Sequence, residues 1–276
     1  MISLKDRTLI DKYEILIHAL TSARRLAVAF SGGVDSSFLL YAAKEALGEN
    51  AIALTAVSPM FPDREKKEAE VFCQKFGIRQ IFFDYDVMSA EGIAENPPDR
   101  CYRCKKNLFA KMYSLAEQER ATLIEGSNKD DEGDYRPGLK ALEEMKIQSP
   151  LRIFGFTKAE IRSLSKTLGL PTWDKPSYAC LATRIPYGEE LDTTKLKMVE
   201  RAEQYLMDQG FREVRVRVHG TVNARIELNP NDFRAFMRAD VRLEVNQVFK
   251  QMGFAYVSLD LQGYRAGSMN ESLDIR

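Results

Sequence analysis

The sequence predicts an α/β protein, with a doubly wound, mostly parallel sheet followed by a smaller C-terminal α+β domain. Three observations carry that prediction. Residues 26–30 and Ala51–Val57 are short apolar runs with the length and continuous hydrophobicity of strands buried on both faces. Segments of helical spacing separate them, so strand and helix alternate. Beyond Pro186-Tyr187-Gly188 the pattern changes to period two, at 214–218 and 222–228. The domains are therefore expected at 1–185 and 186–276. With 276 residues and 45% hydrophobic content, the chain has material for two cores. Forty basic side chains (Lys+Arg 40) balance forty acidic ones (Asp+Glu 40), which argues against a general nucleic-acid-binding surface and for a small anionic substrate. No apolar run approaches a membrane span, and the N-terminus lacks the apolar core of a signal peptide; a cytoplasmic protein is expected.

In chain order, Leu4–Leu20 has helical spacing and should pack beneath the first strand; His18 on it receives no chemistry. The first strand leads into Ser31-Gly32-Gly33-Val34-Asp35-Ser36-Ser37 and then an apolar helix. Gly32 and Gly33 permit positive φ and close backbone approach. Ser31, Ser36 and Ser37 supply hydroxyls, and the helix start offers unpaired N–H groups to an anion. The turn is built to hold phosphate. It is not a Walker loop, because the Lys-Ser/Thr ending is absent and an Asp stands where that lysine would be. SGGxDS resembles the PP-loop signature of ATP pyrophosphatases, enzymes that split ATP between the α and β phosphates. The resemblance implies a Rossmann-like PP-loop domain, ATP contacts at Ser31, Gly32, Gly33, Asp35, Ser36 and Ser37, and AMP transfer.

The second strand ends at Val57, ahead of a Ser-Pro break. Ligands in open α/β sheets sit at that end, so Val57 is a candidate ATP contact. A helix at 63–77 and a third strand at 78–84 follow. Cys73, between Phe72 and Phe76 in sequence, reads as a small core residue. Cys101 and Cys104 are different. Two thiols at Cys-x-x-Cys spacing can turn toward one metal, and Arg100, Arg103, Lys105 and Lys106 favour their thiolates. Structural zinc and a redox pair compete with that reading, but zinc would want a second pair, which the sequence lacks. With Cys180 as the other loop thiol, three thiolates and an open fourth position suit a cubane iron-sulfur cluster better.

A fourth strand ends at 123–126. Gly126-Ser127-Asn128-Lys129-Asp130-Asp131 then resembles the GTNxDD-type loop of the same pyrophosphatases, which implies nucleotide contacts at Gly126 and Ser127 and Mg²⁺ held by Asp130 and Asp131 together with Asp35. A hard cation on a triphosphate needs such oxygen ligands; a solvated acidic loop is the plainer alternative. Arg136 is a candidate anion clamp. Thr157 and Glu160 form a capping-box pattern for a helix running to Gly169. The irregular loop 170–184 carries Lys175 and Arg184, which could neutralise charge as pyrophosphate leaves; two exposed cations are the alternative. Asp192 or Thr193 caps a helix to Asp208. Strand alternation then puts Val214, Val216 and Val218 on one face, and Arg215 and Arg217 on the other, for phosphate recognition or as a solvated face. A helix at 242–252, a strand at 256–261 and a short flexible tail at 263–268 complete the expectation.

SGGVDSS, PPDRCYRCKK, KDDEGDYRPGLK, WDKPSYACLATRIPYG, VRVRVHG and LDLQGYRAGSMN together resemble the LarE family, ATP-dependent sulfur insertases of nickel-pincer cofactor synthesis, over almost the full length. The resemblance implies adenylation of a carboxylate on pyridinium-3,5-biscarboxylic acid mononucleotide, then thiocarboxylate formation with sulfur from a donor. It implies ATP, Mg²⁺ and a 4Fe-4S cluster on Cys101, Cys104 and Cys180, because Ala179 stands where self-sacrificing members carry their single cysteine. Lys105, Lys175, Thr183 and Arg184 become candidate catalytic residues. Arg215 and Arg217 fall on the substrate phosphate, and Glu203 and Asp232 on a candidate second metal site, although helical placement alone would make both of them surface charges. A homo-oligomer, a hexamer by resemblance, with no membrane or nucleic-acid partner is expected. The rival expectations are a tRNA thiolase, which would want a basic extension, and a non-catalytic nucleotide- or metal-binding module.

Overall fold

The computed structural model describes residues 4–133, 137–176, 179–220, 222–265 and 267–269. Arg136 lies outside them. Two units are present, one of residues 1–86 and 99–178, the other of 87–98 and 179–276.

The first unit opens with α1 (Leu4–Leu20), β1 (Leu26–Ala29), α2 (Val34–Leu47) and β2 (Ala51–Val57), followed by α3 (Asp63–Lys75) and β3 (Arg79–Asp84). It continues through α4 (Arg100–Gln118), β4 (Thr122–Ile124), α5 (Pro137–Glu144), α6 (Pro150–Ile153) and α7 (Lys158–Thr167). The strands form an all-parallel sheet in the order β3-β2-β1-β4. Both faces of its centre are covered, as continuous apolar strands demand: Ala27, Val28, Ile52, Ala53 and Leu54 are at most 0% exposed. Within one core cluster, tilted ring contacts link Tyr13, Phe38 and Phe156, and Phe30, Phe72 and Phe76. Chain direction across the sheet reverses between β1 and β4, since β2 and β3 lie on one side and β4 on the other. The carboxyl ends of β1 and β4 therefore flank a topological switch point, where open α/β sheets bind ligands. The Thr157 hydroxyl accepts from Glu160 N–H and the Glu160 carboxylate from Thr157 N–H, so the predicted capping box starts α7.

The second unit contains α8 (Thr193–Asp208), β5 (Val214–His219), β6 (Asn223–Leu228), α9 (Phe233–Phe236), α10 (Ala239–Gln251) and β7 (Tyr256–Leu259). β5 and β6 are antiparallel, β6 and β7 parallel, in the order β5-β6-β7. Residues 87–98 join this unit through backbone bonds from Gly188 N–H to Asn96 O and from Leu191 N–H to Ala94 O. The tail expected to be flexible is anchored instead. Tyr264 N–H donates to Leu228 O at 2.8 Å. Gly263, at φ +75°, brings the chain so close that a Cβ there would lie 2.5 Å from that carbonyl.

Candidate active site

In the first unit the site is built from the ends of β1 and β4. Gly32 alone of the two loop glycines takes a positive φ, +72°, and passes the Ala69 side chain of α3 with room for little more than a hydrogen: a Cβ would meet Ala69 Cβ at 3.2 Å. Gly33 stays extended and precedes α2. Ser31 and Ser36 hydroxyls lie 3.2 Å apart, and Ser36 Oγ donates to Gly33 O, which folds the loop over the helix start. The Ser37 hydroxyl is buried without a hydrogen-bond partner. Gly126, just past β4, runs against the same helix start, where a Cβ would lie 3.0 Å from Ser36 N. The two motifs singled out in sequence are thus in van der Waals contact at the switch point. Val57 ends β2, its carbonyl accepting from Tyr85 N–H at 2.8 Å.

Cations and carboxylates surround this loop. Lys175 Nζ donates to Gly32 O at 2.9 Å and pairs with Glu68 of α3 at 2.6 Å. Lys158, at the start of α7, forms an ion pair with Asp35, and its backbone N–H donates to Asp130 Oδ2 at 2.8 Å. Asp130 is exposed, whereas Asp131 is buried and its Oδ2 accepts from Asn128 N–H at 2.9 Å. Ser127, also buried, donates its N–H and hydroxyl to Glu125. Asp130 is thereby open to solvent and Asp35 partly so, and Asp131 shapes the turn that carries Asp130. Lys158 and Glu68 escaped the sequence reading. The capping box gave Lys158 a helical position, but nothing in one-dimensional spacing aims its side chain at a loop more than a hundred residues earlier.

Cys101 and Cys104 lie one helical turn apart at the start of α4, both half-buried and neither in a disulfide. Cys101 Sγ is 3.9 Å from Arg100 Nη2, and Cys104 Sγ is 3.9 Å from Tyr85 Oη. A guanidinium and a phenol donor both favour thiolate, which is the form a metal or cluster takes. Lys105 runs along α5: a Cβ on Gly138 would come within 2.6 Å of its Cδ. Cys73 is buried in the core, and burial pushes its thiol up to about 12.

The second unit holds the remaining candidates around a buried ionic network. Arg184 is 1% exposed; its Nε and Nη2 meet the two Glu203 oxygens at 2.8 and 2.9 Å. Arg184 Nη1 donates to the carbonyls of Ala179 and Cys180 and to Thr183 Oγ1, so this guanidinium shapes the backbone that carries Cys180. Thr183 Oγ1 itself donates to Cys180 O at 2.9 Å. Glu203 is a buried group on the inner face of α8, not a surface charge, and also accepts from Val216 N–H. Burial pushes its carboxyl up, but Arg184, Arg215 and the Val216 amide outweigh that and hold it below the usual range. Asp232 is half-buried on the turn Pro230–Asp232.

Arg215 and Arg217 share one face of β5, as alternation predicts, but that face is not solvated. Arg217 forks onto Glu227 at 2.7 and 3.0 Å, reaches Thr183 O at 2.6 Å and meets Ser268 Oγ at 2.7 Å. Arg215 stacks on the Tyr264 ring, 4.8 Å from its centroid, and burial together with Arg184 pushes its guanidinium below the usual range. The anchored tail covers both. Within either unit, no three His, Cys, Asp or Glu side chains among the described residues are gathered as a metal-binding group. No helix among the described residues is long and apolar enough to cross a membrane.

A family model described as NAD synthase matches residues 16–130, which span the SGGVDSS loop and reach Asp130 of the acidic loop. The uncharacterized protein slr1717 of Synechocystis sp. is 43% identical over 251 residues, 90% of this chain and 93% of its own. Pyridinium-3,5-bisthiocarboxylic acid mononucleotide synthase of Lactiplantibacillus plantarum is 38% identical over 268 residues, 96% of each chain. The chain belongs to the LarE family. This LarE protein is accordingly an ATP-dependent sulfurtransferase with a PP-loop. A tRNA-specific 2-thiouridylase of Thermoanaerobacter sp. is a more remote relative, 24% identical over 276 aligned positions, 81% of this chain and 74% of its own.

Proposed function

We propose that this LarE chain adenylates a carboxylate of pyridinium-3,5-biscarboxylic acid mononucleotide and converts it to a thiocarboxylate for a nickel-pincer nucleotide cofactor. The observation that carries the reading is the packing of Gly126 against the first turn of α2, which joins the SGGVDSS loop and the acidic loop into one nucleotide cradle. A chain aligned over 96% of its length with a synthase of the bisthiocarboxylic product supports the substrate class.

In this mechanism the loop amides and the Ser31, Ser36 and Ser37 hydroxyls hold ATP phosphates, with Gly126, Ser127 and Val57 along the nucleotide. Asp35, Asp130 and Asp131 would hold Mg²⁺ on the phosphates. A substrate carboxylate oxygen attacks the α phosphorus in line, the bond to the β-phosphate oxygen breaks, and pyrophosphate leaves with Lys175 beside it. The acyl adenylate so formed has AMP as its leaving group in place of oxide, and Lys105, Thr183 and Arg184 stabilise or position the charge that develops at the carbonyl. Arg215 and Arg217 receive the substrate phosphate, the fork of Arg217 opening from Glu227 to do so. Glu203 and Asp232 would be the ligands of a second metal in this reading, although Glu203 is committed here to Arg184 and Val216 N–H.

The partly buried thiols of Cys101 and Cys104, neither of them in a disulfide and each beside a donor favouring thiolate, fit cluster ligation, and Cys180 would be the third ligand. These three thiolates would hold a 4Fe-4S cluster, which when bound would supply an exchangeable sulfide as the sulfur source. The remaining parts of the proposal are a division of labour between a nucleotide domain, 1–185, and a substrate domain, 186–276, a homo-oligomeric cytoplasmic enzyme, and an external sulfur donor. Anaerobically prepared protein with ATP and substrate is expected to release AMP and pyrophosphate with thiocarboxylate; ADP as the product nucleotide would exclude the mechanism. Iron, sulfide and visible absorption should fall in Cys180→Ala.

A further inference from the structure

Lys158 has no part in the proposed reaction, yet it engages two carboxylates of the cradle, Asp35 and Asp130. Its ammonium pairs with Asp35 Oδ2, and its N–H holds Asp130 Oδ2 at 2.8 Å. The other Asp35 oxygen, Oδ1, is buried without a hydrogen-bond partner. A carboxylate with one oxygen on an ammonium and the other desolvated and unmatched is only half satisfied, and a further cation or donor would complete it. The Lys158 side chain is 31% exposed, so its stem has room to swing.

We propose that Lys158 occupies the divalent cation's side of Asp35 while the loop is empty and so makes metal binding conditional on the triphosphate. The proposal rests on the ATP-site reading of the SGGVDSS loop. A divalent ion arriving alone must displace an ammonium in contact with the same oxygen, and repulsion between the two cations opposes their sharing it. The displaced ammonium then gains nothing but water. When ATP arrives with the metal, its phosphates give Lys158 a new anionic partner beside the start of α7, and the exchange costs no ion pair. Metal and nucleotide therefore raise each other's affinity, by equal factors. Lys158 is a positioning residue in this scheme: it stands between the cation and Asp35 and favours loading of the metal as its nucleotide complex.

The test uses Mn²⁺, read as free ion by electron paramagnetic resonance, with the full chain alone and with the α,β-methylene analogue of ATP. Lys158→Met keeps the stem and removes the charge; Lys158→Gln serves in its place should the first not fold, as judged by circular dichroism. The expected result is that the neutral variant binds Mn²⁺ without nucleotide about tenfold more tightly than the unaltered chain, a typical coupling factor, while Lys158→Arg does not. A solely structural bridge between α7 and α2 predicts unchanged or weaker Mn²⁺ binding on its removal. Equal Mn²⁺ affinity in the neutral variant and the unaltered chain, with the analogue still bound by both, overturns the proposal and leaves the ATP site standing. Failure of the unaltered chain to bind the analogue with Mn²⁺ overturns the ATP-site reading and the proposal with it.

Discussion

Arg184 and Glu203 meet with almost no water around them, and the energetics of such a pair are lopsided. Bringing both charges out of water is costly, and their two parallel hydrogen bonds offset that cost. Removing one partner strands the other. Arg184→Ala is therefore expected to destabilise the chain by about 3–5 kcal/mol in urea unfolding. It should also loosen the Ala179 and Cys180 carbonyls that the guanidinium gathers. A loss below about 1 kcal/mol, the range of an exposed pair, would contradict the buried geometry. Cysteines divide as sharply. Cys73 is 2% exposed, with its thiol pushed up to about 12, so at neutral pH it offers neither access nor thiolate. Iodoacetamide on the native, cluster-free chain should label Cys101, Cys104 and Cys180 within the time that leaves Cys73 unmodified, as peptide mass mapping would read. Labelling of Cys73 at a matching rate would mean that the core around Phe72 opens.

Among the elements, the start of α2 carries the site, and its glycines test it. Gly126 has an ordinary φ, so its lack of a side chain serves the approach to Ser36 N, 3.0 Å from where a Cβ would stand, and not backbone freedom. Backbone on both sides makes that contact unyielding. Gly126→Ala should push the two loops apart and weaken nucleotide binding by about tenfold or more, the 1.4 kcal/mol that a modest misplacement of phosphate donors represents. Binding unchanged in a fluorescent-nucleotide titration would show that the acidic loop contributes nothing to the cradle. These same elements show what one dimension encodes. The span Ala51–Val57, the capping box at Thr157 and Glu160, and the helix over Leu4–Leu20 were all legible, because each is a local pattern of period, cap or apolar run. The alternation at 214–218 put Arg215 and Arg217 on one face correctly, but period two cannot say what covers a face. Glu227 from the neighbouring strand and Tyr264 and Ser268 from the tail do so, and only pairing in space brings them there. The ion pair between Lys158 and Asp35 escaped for the same reason, and the tail read as flexible because Gly263 and Gly267 signal turns without signalling what the turn rests on.

At the scale of the whole molecule, equal numbers of acidic and basic side chains make net charge a poor guide to pH behaviour, so individual buried groups decide it. His219 is half-buried, and burial, followed by the nearby Arg225, pushes its imidazole below the usual range; its Nε2 is buried without a hydrogen-bond partner. Glu203 is held below the usual carboxyl range, because Arg184 and Arg215 overcome the effect of burial. Both groups thus bind a proton more readily in the unfolded chain than in the folded one. The stability each provides is complete above its unfolded pKa, about 6.5 for histidine and about 4.3 for glutamate, and is lost as pH falls through the lower folded value. Urea unfolding of the second unit's strands should therefore weaken in two stages on acidification, first below about pH 6.5 and again below about pH 4.3. His219→Asn should flatten the first stage while leaving the second, since an amide neither titrates nor gains charge when the pH falls. A midpoint that holds constant between pH 7 and pH 5 in the unaltered chain would mean that water reaches His219 freely, and the closed face of β5 would then have to be redrawn.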